Sequence, residues 1–215
     1  MSKRFTVEEV VGLGPVIPVL KFDTLEEGVA VCHALYAGGV KVFEITLRTK
    51  VGLDVIREVA GIADDVAVGV GTLTRPEECA AAVKAGATFG VSPGFSQTLD
   101  EAAKAAGLPL LPGVMTPSDI LAAIAAGYRI VKFFPAEQAG GAAMLSAFQG
   151  PFPGLKFCPT GGITPATAPT FLALPNVVCV GGSWMTPKSA LATQDWDEVT
   201  RLAREASMLG PMKTA

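Results

Sequence analysis

At 215 residues, 50% hydrophobic and 17% charged, the chain holds enough apolar material for one large core and suits a single α/β barrel or a doubly wound sheet. Its 17 Lys and Arg against 20 Asp and Glu give a net charge of −3, and the basic residues form no run, which excludes the electrostatic footprint of a nucleic-acid binder. The N-terminal Met-Ser-Lys-Arg precedes no apolar h-region and no stretch approaches membrane-spanning length, so the expectation is a soluble cytoplasmic protein with no membrane partner.

Taken in order, Thr6 with Glu9 makes a capping box for a short leading helix ending near Gly12, and Pro15 to Phe22 is an apolar strand. Thr24 with Glu27 caps a helix that carries Cys32, His33 and Tyr36 and stops at Gly38 and Gly39. A second strand, Val40 to Leu47, follows at once. An alanine-rich helix closing on Ala-Gly and opening into a strand then recurs at Ala85-Gly86, Ala106-Gly107 and Ala126-Gly127. Further strands fall near 67, 88, 108, 129, 155 and 176, with helices over roughly 51–63, 76–85, 98–106, 117–126, 141–149 and 166–173, and a last helix over about Asp197 to Met208. Strands alternating with helices lie parallel, and eight such units predict one (β/α)8 TIM-barrel domain over residues 1–215 with a short N-terminal helix. An open doubly wound sheet fits less well, because polar residues cluster at the ends of many strands instead of at one switch point.

Within the sixth strand, Lys132 stands between Ile130 and Val131 on one side and Phe133 and Phe134 on the other, before Pro135 ends the run. Burial disfavours a charged lysine, and a lysine that readily loses its proton is the nucleophile that forms a Schiff base with a ketone. The plain alternative is an edge-strand lysine facing water. On the second strand, alternation sends Glu44, Thr46 and Arg48 to one side and Phe43, Ile45 and Leu47 to the other. The apolar side meets the helices, so the polar side lines the interior and its mouth, where a carboxylate and a guanidinium need partners or work. Mutual pairing of Glu44, Arg48 and Lys132 for stability alone is the competing explanation.

The third strand ends Gly69-Val70-Gly71-Thr72, the fourth Ser92-Pro93-Gly94, the seventh Pro159-Thr160-Gly161-Gly162 and the eighth Gly181-Gly182-Ser183. The last two loops offer unobstructed backbone N–H groups where such barrels bind phosphate. His33 is the only histidine and sits in a helix away from the strand exits, as a surface or helix-packing residue. A zinc aldolase, a metallohydrolase and a Ser-His-Asp mechanism are therefore disfavoured, and no metal site is expected. The four cysteines, Cys32, Cys79, Cys158 and Cys179, lie singly in apolar segments and read as buried reduced thiols.

The segments Gly39-Val-Lys-Val-Phe-Glu44-Ile-Thr-Leu-Arg48, Gly127-x-x-x-Val-Lys132-Phe-Phe-Pro-Ala-x-x-x-Gly140, Cys158-Pro-Thr-Gly-Gly162-Ile and Gly181-Gly-Ser-Trp184 together closely resemble the 2-dehydro-3-deoxy-phosphogluconate (KDPG) aldolase family. Resemblance runs from about Gly14 to Leu209. It implies a class I aldolase on a (β/α)8 barrel, usually a homotrimer, that cleaves KDPG to pyruvate and glyceraldehyde 3-phosphate, with many members also cleaving 4-hydroxy-2-oxoglutarate. In one departure, some relatives carry arginine after Pro-Val-Leu where this chain has Lys21 with Phe22.

On this basis Lys132 is expected to form the imine and Glu44 to move protons. Arg48 and Thr72 would hold the pyruvyl carboxylate, and Phe134 and Pro93 would wall the pocket. The N–H groups around Gly161, Gly162, Gly181 and Ser183 would take the phosphate of a small phosphorylated keto acid, and Thr160 would touch its aldehyde portion. No organic cofactor is required. A mean hydropathy of +0.44 with few charges fits the trimer. A phosphosugar isomerase or epimerase, and a non-catalytic phosphosugar-binding barrel, are the alternatives.

Overall fold

The structure, a computed structural model, describes residues 5–210. Residues 1–4 and 211–215, which hold both ends of the expected domain and most of the N-terminal reading, lie outside the described residues.

Helix α1 (Val7–Gly12) begins at the expected capping box, in which Thr6 Oγ1 accepts from the Glu9 N–H and the Glu9 carboxylate accepts from the Thr6 N–H. Strands and helices then alternate as β1 (Val16–Leu20), α2 (Leu25–Ala37), β2 (Val42–Thr46), α3 (Gly52–Val59), β3 (Ala67–Gly71), α4 (Glu77–Ala85), β4 (Phe89–Val91) and α5 (Gln97–Ala106). The second half adds β5 (Leu110–Leu111), β6 (Gly113–Val114), α6 (Pro117–Ala125), β7 (Ile130–Phe133), α7 (Gly141–Phe148), β8 (Lys156–Pro159) and α8 (Ala168–Leu172). It closes with β9 (Val180–Gly182), α9 (Lys188–Thr193) and α10 (Trp196–Ser207). Helices α4 and α5 end where expected, on Gly86 and Gly107 at φ +102° and +65°, a left-handed cap that glycine adopts without steric cost.

This is an α/β fold with a curled parallel sheet. Strand order is β5-β4-β3-β2-β1-β9 in one six-stranded piece and β6-β7-β8 in another, with every pairing between these strands parallel. Three expectations are corrected. The fifth strand is broken into β5 and β6 at Pro112, which has no N–H to give a ladder, so nine strands are described instead of eight. The last strand starts at Val180 rather than near 176, because its pairing with β1 begins there; Val177 makes only an isolated bridge to Phe157. Helix α9 was not foreseen, since Lys-Ser-Ala-Leu-Ala-Thr is too short for a helical period to show.

Alternation along the strands builds two cores. Phe43, Ile45, Val68, Val70, Val131, Phe133 and Phe157 face outward under the helices, and each fully buried phenylalanine contributes about 1.5–3 kcal/mol. Ile17, Val42, Ala67, Phe89, Leu111, Ile130, Cys158 and Cys179 face inward, and α1 adds Val10 and Val11 to the same cluster. The inner layer is a solid plug, so anything polar one step further along the strands stands on an apolar floor.

Candidate active site

Val42 and Ile130 belong to the apolar inner layer. Two residues on, the same strand faces present Glu44 and Lys132, as the period of two requires. Their side chains are 3% and 5% exposed, and Lys132 Nζ lies 3.1 Å from Glu44 Oε1 and 3.5 Å from Oε2. The edge-strand alternative for Lys132 is thereby ruled out. Close approach is possible because β3 carries glycine at 71: a Cβ there would stand 2.5 Å from Glu44 Oε1. The Phe134 ring centroid is 5.4 Å from Lys132 Nζ, within range of a favourable cation–π contact.

Arg48, exposed beyond the end of β2, donates from Nε to Thr72 Oγ1 at 3.1 Å, so the two expected carboxylate-binding side chains do meet. Thr72 has φ +61°, a left-handed conformation that a β-branched residue adopts only at a cost of about 1–3 kcal/mol. That strain sits at a strand exit, where it aims the hydroxyl at the guanidinium. The ends of β1 and β2 are tied together by Thr46 Oγ1 donating to the Leu20 carbonyl at 2.8 Å, and the loops after them by Thr49 Oγ1 donating to the Phe22 carbonyl at 2.7 Å.

A cleft of about 660 Å³ opens over the C-terminal strand ends. Arg48, Phe134, Thr160, Gly161, Gly162, Gly181 and Ser183 are among the residues that line it. Thr160 bridges to Gly181, and a Cβ at 181 would drive into the Thr160 side chain, so glycine there is needed for the two loops to touch. Lys132, Glu44, Thr72 and Pro93 are not among the lining residues. The first two are buried below Phe134, and Thr72 is reached through Arg48. Half-buried Pro93 lies against Gly113, the β6 neighbour in register with Lys132.

Lys21, Asp23, Glu27, Thr186 and Lys188 also line the cleft, and none was singled out as a site residue. Single charges in loops or helix first turns leave no periodic signal, and Lys21 was noted only as a departure from some relatives at the end of the first strand.

The other titratable groups hold the frame. Glu78 is destabilised by desolvation, yet N–H groups of Thr74 and Arg75 and the Arg75 guanidinium outweigh that and hold its carboxyl below the usual range. Asp119 is likewise lowered, with burial overcome by the N–H groups of Thr116 and Met115. The Cys179 thiol is pushed well up by its hydrogen bond with Cys158 and by burial, and Cys32 by burial alone, so these sulfurs stay protonated. All four cysteines are free and buried, and His33 is exposed on α2. Among the described residues no group of three His, Cys, Asp or Glu side chains could hold a metal ion, and no helix is long and apolar enough to cross a membrane.

Residues 7–202 match the family described as KDPG and KHG aldolase. The KHG/KDPG aldolase of Escherichia coli K12 is 45% identical over 203 residues, covering 94% of this chain and 95% of that protein. The crystal structure of the Legionella pneumophila KDPG aldolase, with pyruvate captured at low pH as a covalent carbinolamine, superposes with a TM-score of 0.90 at 41% identity, covering 94% and 98% of the two chains. The 2-keto-3-deoxy-6-phosphogluconate aldolase of Zymomonas mobilis ZM4, with 3-phosphoglycerate, gives 0.91 at 38% identity and 97% and 98% coverage. Motifs, strand-end geometry and relatives of nearly equal length agree, and the chain belongs to the KDPG and KHG aldolase family.

Proposed function

We propose that the chain is a class I aldolase that cleaves 2-dehydro-3-deoxy-6-phosphogluconate to pyruvate and glyceraldehyde 3-phosphate, and also 4-hydroxy-2-oxoglutarate to pyruvate and glyoxylate. One observation carries this: a lysine and a carboxylate, both nearly fully buried, stand 3.1 Å apart beside a cleft rimmed by glycine loops. The Legionella relative's covalent pyruvate and the two substrates in the E. coli relative's name support it.

Glu44 takes a proton from Lys132, and the amine attacks the C2 ketone to give a carbinolamine. Glu44 then protonates the departing hydroxyl, and loss of water leaves an iminium whose positive charge faces the Phe134 ring. The same carboxylate removes the C4 hydroxyl proton, directly or through water. The C3–C4 bonding pair moves into the iminium, the aldehyde leaves, and an enamine of pyruvate remains. Protonation at C3 and addition of water at C2 free pyruvate and restore the amine.

Arg48 and Thr72 hold the pyruvyl carboxylate with a planar fork and a hydroxyl. Phe134 and Pro93 wall the pocket. Backbone N–H groups around Gly161, Gly162, Gly181 and Ser183 take the phosphate, and Thr160 meets the aldehyde portion, where the choice at C4 is made.

The whole is read as one closed (β/α)8 barrel domain over 1–215. An isolated bridge from Phe157 of β8 to Val177 ahead of β9, another from Thr160 just past β8 to Gly181 of β9, and the direct passage of the chain from β5 through Pro112 to β6 support closure. The protein is read as a cytoplasmic homotrimer. Exposed Met115, Leu121, Ile124 and Met144 on and around α6 and α7, and four unpaired buried thiols, support that assignment.

A lactate-dehydrogenase-coupled assay with KDPG tests the activity. Stoichiometric pyruvate release is expected. Tight ligand binding without release would leave a phosphosugar-binding barrel, and ketose–aldose interconversion without cleavage an isomerase.

A further inference from the structure

The cleft is lined by three cations, Lys21, Arg48 and Lys188, and by two carboxylates, Asp23 and Glu27. Their charges are not equally available. Lys21 Nζ donates to Asp23 Oδ1 at 2.7 Å, so its charge is largely answered inside the protein. Arg48 is engaged with Thr72 at the other group of strand exits. Lys188 has no hydrogen bond, ion pair or ring contact among the described residues. It is nonetheless firmly placed: Met185 before it and Ala190 after it are buried, 0% and 3% exposed, so the chain that carries it is anchored on both sides.

The glycine loops beside Lys188 can offer only neutral N–H groups. A phosphate dianion drawn from water into that end of the cleft would lose hydration with no full charge to replace it. We infer that Lys188 is a specificity-determining residue, the cation that makes this cleft select a substrate whose distal end carries a phosphate over one that lacks it. This rests on the aldolase reading above and adds a residue to it. Lys188 acts through charge at the rim and takes no part in proton transfer at Lys132.

The test compares Lys188→Met and Lys188→Arg with the wild type. Steady-state cleavage of KDPG at low and high ionic strength is set beside the pyruvate concentration that half-saturates borohydride trapping. Pyruvate carries no phosphate and should not sense the change. For Lys188→Met we expect KM for KDPG to rise roughly tenfold at low salt with kcat little altered, the loss of one hydrogen bond to a charged group. The gap should shrink at high salt, because a solvent-facing charge is screened. Half-saturation by pyruvate should not move, and arginine should restore KM. An unchanged KM for KDPG in Lys188→Met, or an equal loss with pyruvate, would overturn the inference. If wild-type protein is not labelled by pyruvate at all, the aldolase reading fails instead, so the two failures are distinguishable.

Discussion

Lys132 and Glu44 were legible in the sequence because each interrupts an apolar strand on the face that alternation turns inward. Their separation of 3.1 Å was not, since it depends on two residues 88 apart in sequence, on strands that do not pair with each other, being turned to face across the sheet. Glu44→Gln keeps shape and some hydrogen bonding but cannot cycle a proton. We expect KDPG cleavage to fall by about two to four orders of magnitude, with a much smaller change in substrate binding. If Glu44 only neutralises its neighbour, the same variant loses stability while its chemical step is little altered. Steady-state kinetics and thermal denaturation of one preparation separate these outcomes. Gly71→Ala asks about position alone: its methyl group would meet Glu44 Oε1 at 2.5 Å and push the carboxylate off line. A misplacement of that kind costs about a hundredfold in kcat with the fold retained, as kinetics and circular dichroism would show. Lys21 stood out only as a departure from some relatives, and Lys188, which opens α9, gave no signal, because an exposed lysine looks the same in sequence whether or not it lines a cleft.

The strand-exit loops are held by one recurring device, an acid in the first turn of the next helix reaching back to loop N–H groups. Glu78 takes the N–H groups of Thr74 and Arg75 after β3, Asp119 those of Met115 and Thr116 after β6, and Glu27 that of Asp23 after β1. Only part of this was visible beforehand. Thr24 with Glu27 was recognised as a cap, but Glu78 follows no Ser or Thr at the cap position, so its role appears only once the loop is folded. Glu78→Gln should destabilise the protein by about 1–3 kcal/mol at neutral pH, the range for losing hydrogen bonds to a charged group. The sign with pH follows from lowered carboxyl pKa values in the folded state. Stabilisation by Glu78 and Asp119 is present above their unfolded values, about 4.3 and 3.9, and is lost as pH falls through the lower folded values. Calorimetry should show wild-type melting temperature dropping in that acid range, and Glu78→Gln closing part of its deficit there. A deficit that is constant with pH would remove the carboxylate's charge from the explanation.

At the scale of the whole molecule, helix positions were readable almost throughout because each alanine-rich helix ends on Ala-Gly, a local signal. The break of the fifth strand at Pro112 and the division of the sheet into two pieces were not, because they depend on which distant strands pair once the chain is folded. The exposed Leu121, at 60%, and Met115, at 46%, lie at and just before α6 and suit a subunit contact. Light scattering at micromolar concentration should give three times the 22.1 kDa chain mass, and a monomer would contradict the trimer. All of this architecture brings one amine to one ketone. Borohydride reduction in the presence of pyruvate, followed by peptide mass mapping, tests that most directly. A single stable adduct on Lys132, absent from Lys132→Met, is the predicted result; an adduct on Lys21 or another lysine, or no adduct while pyruvate is still released from KDPG, would contradict it.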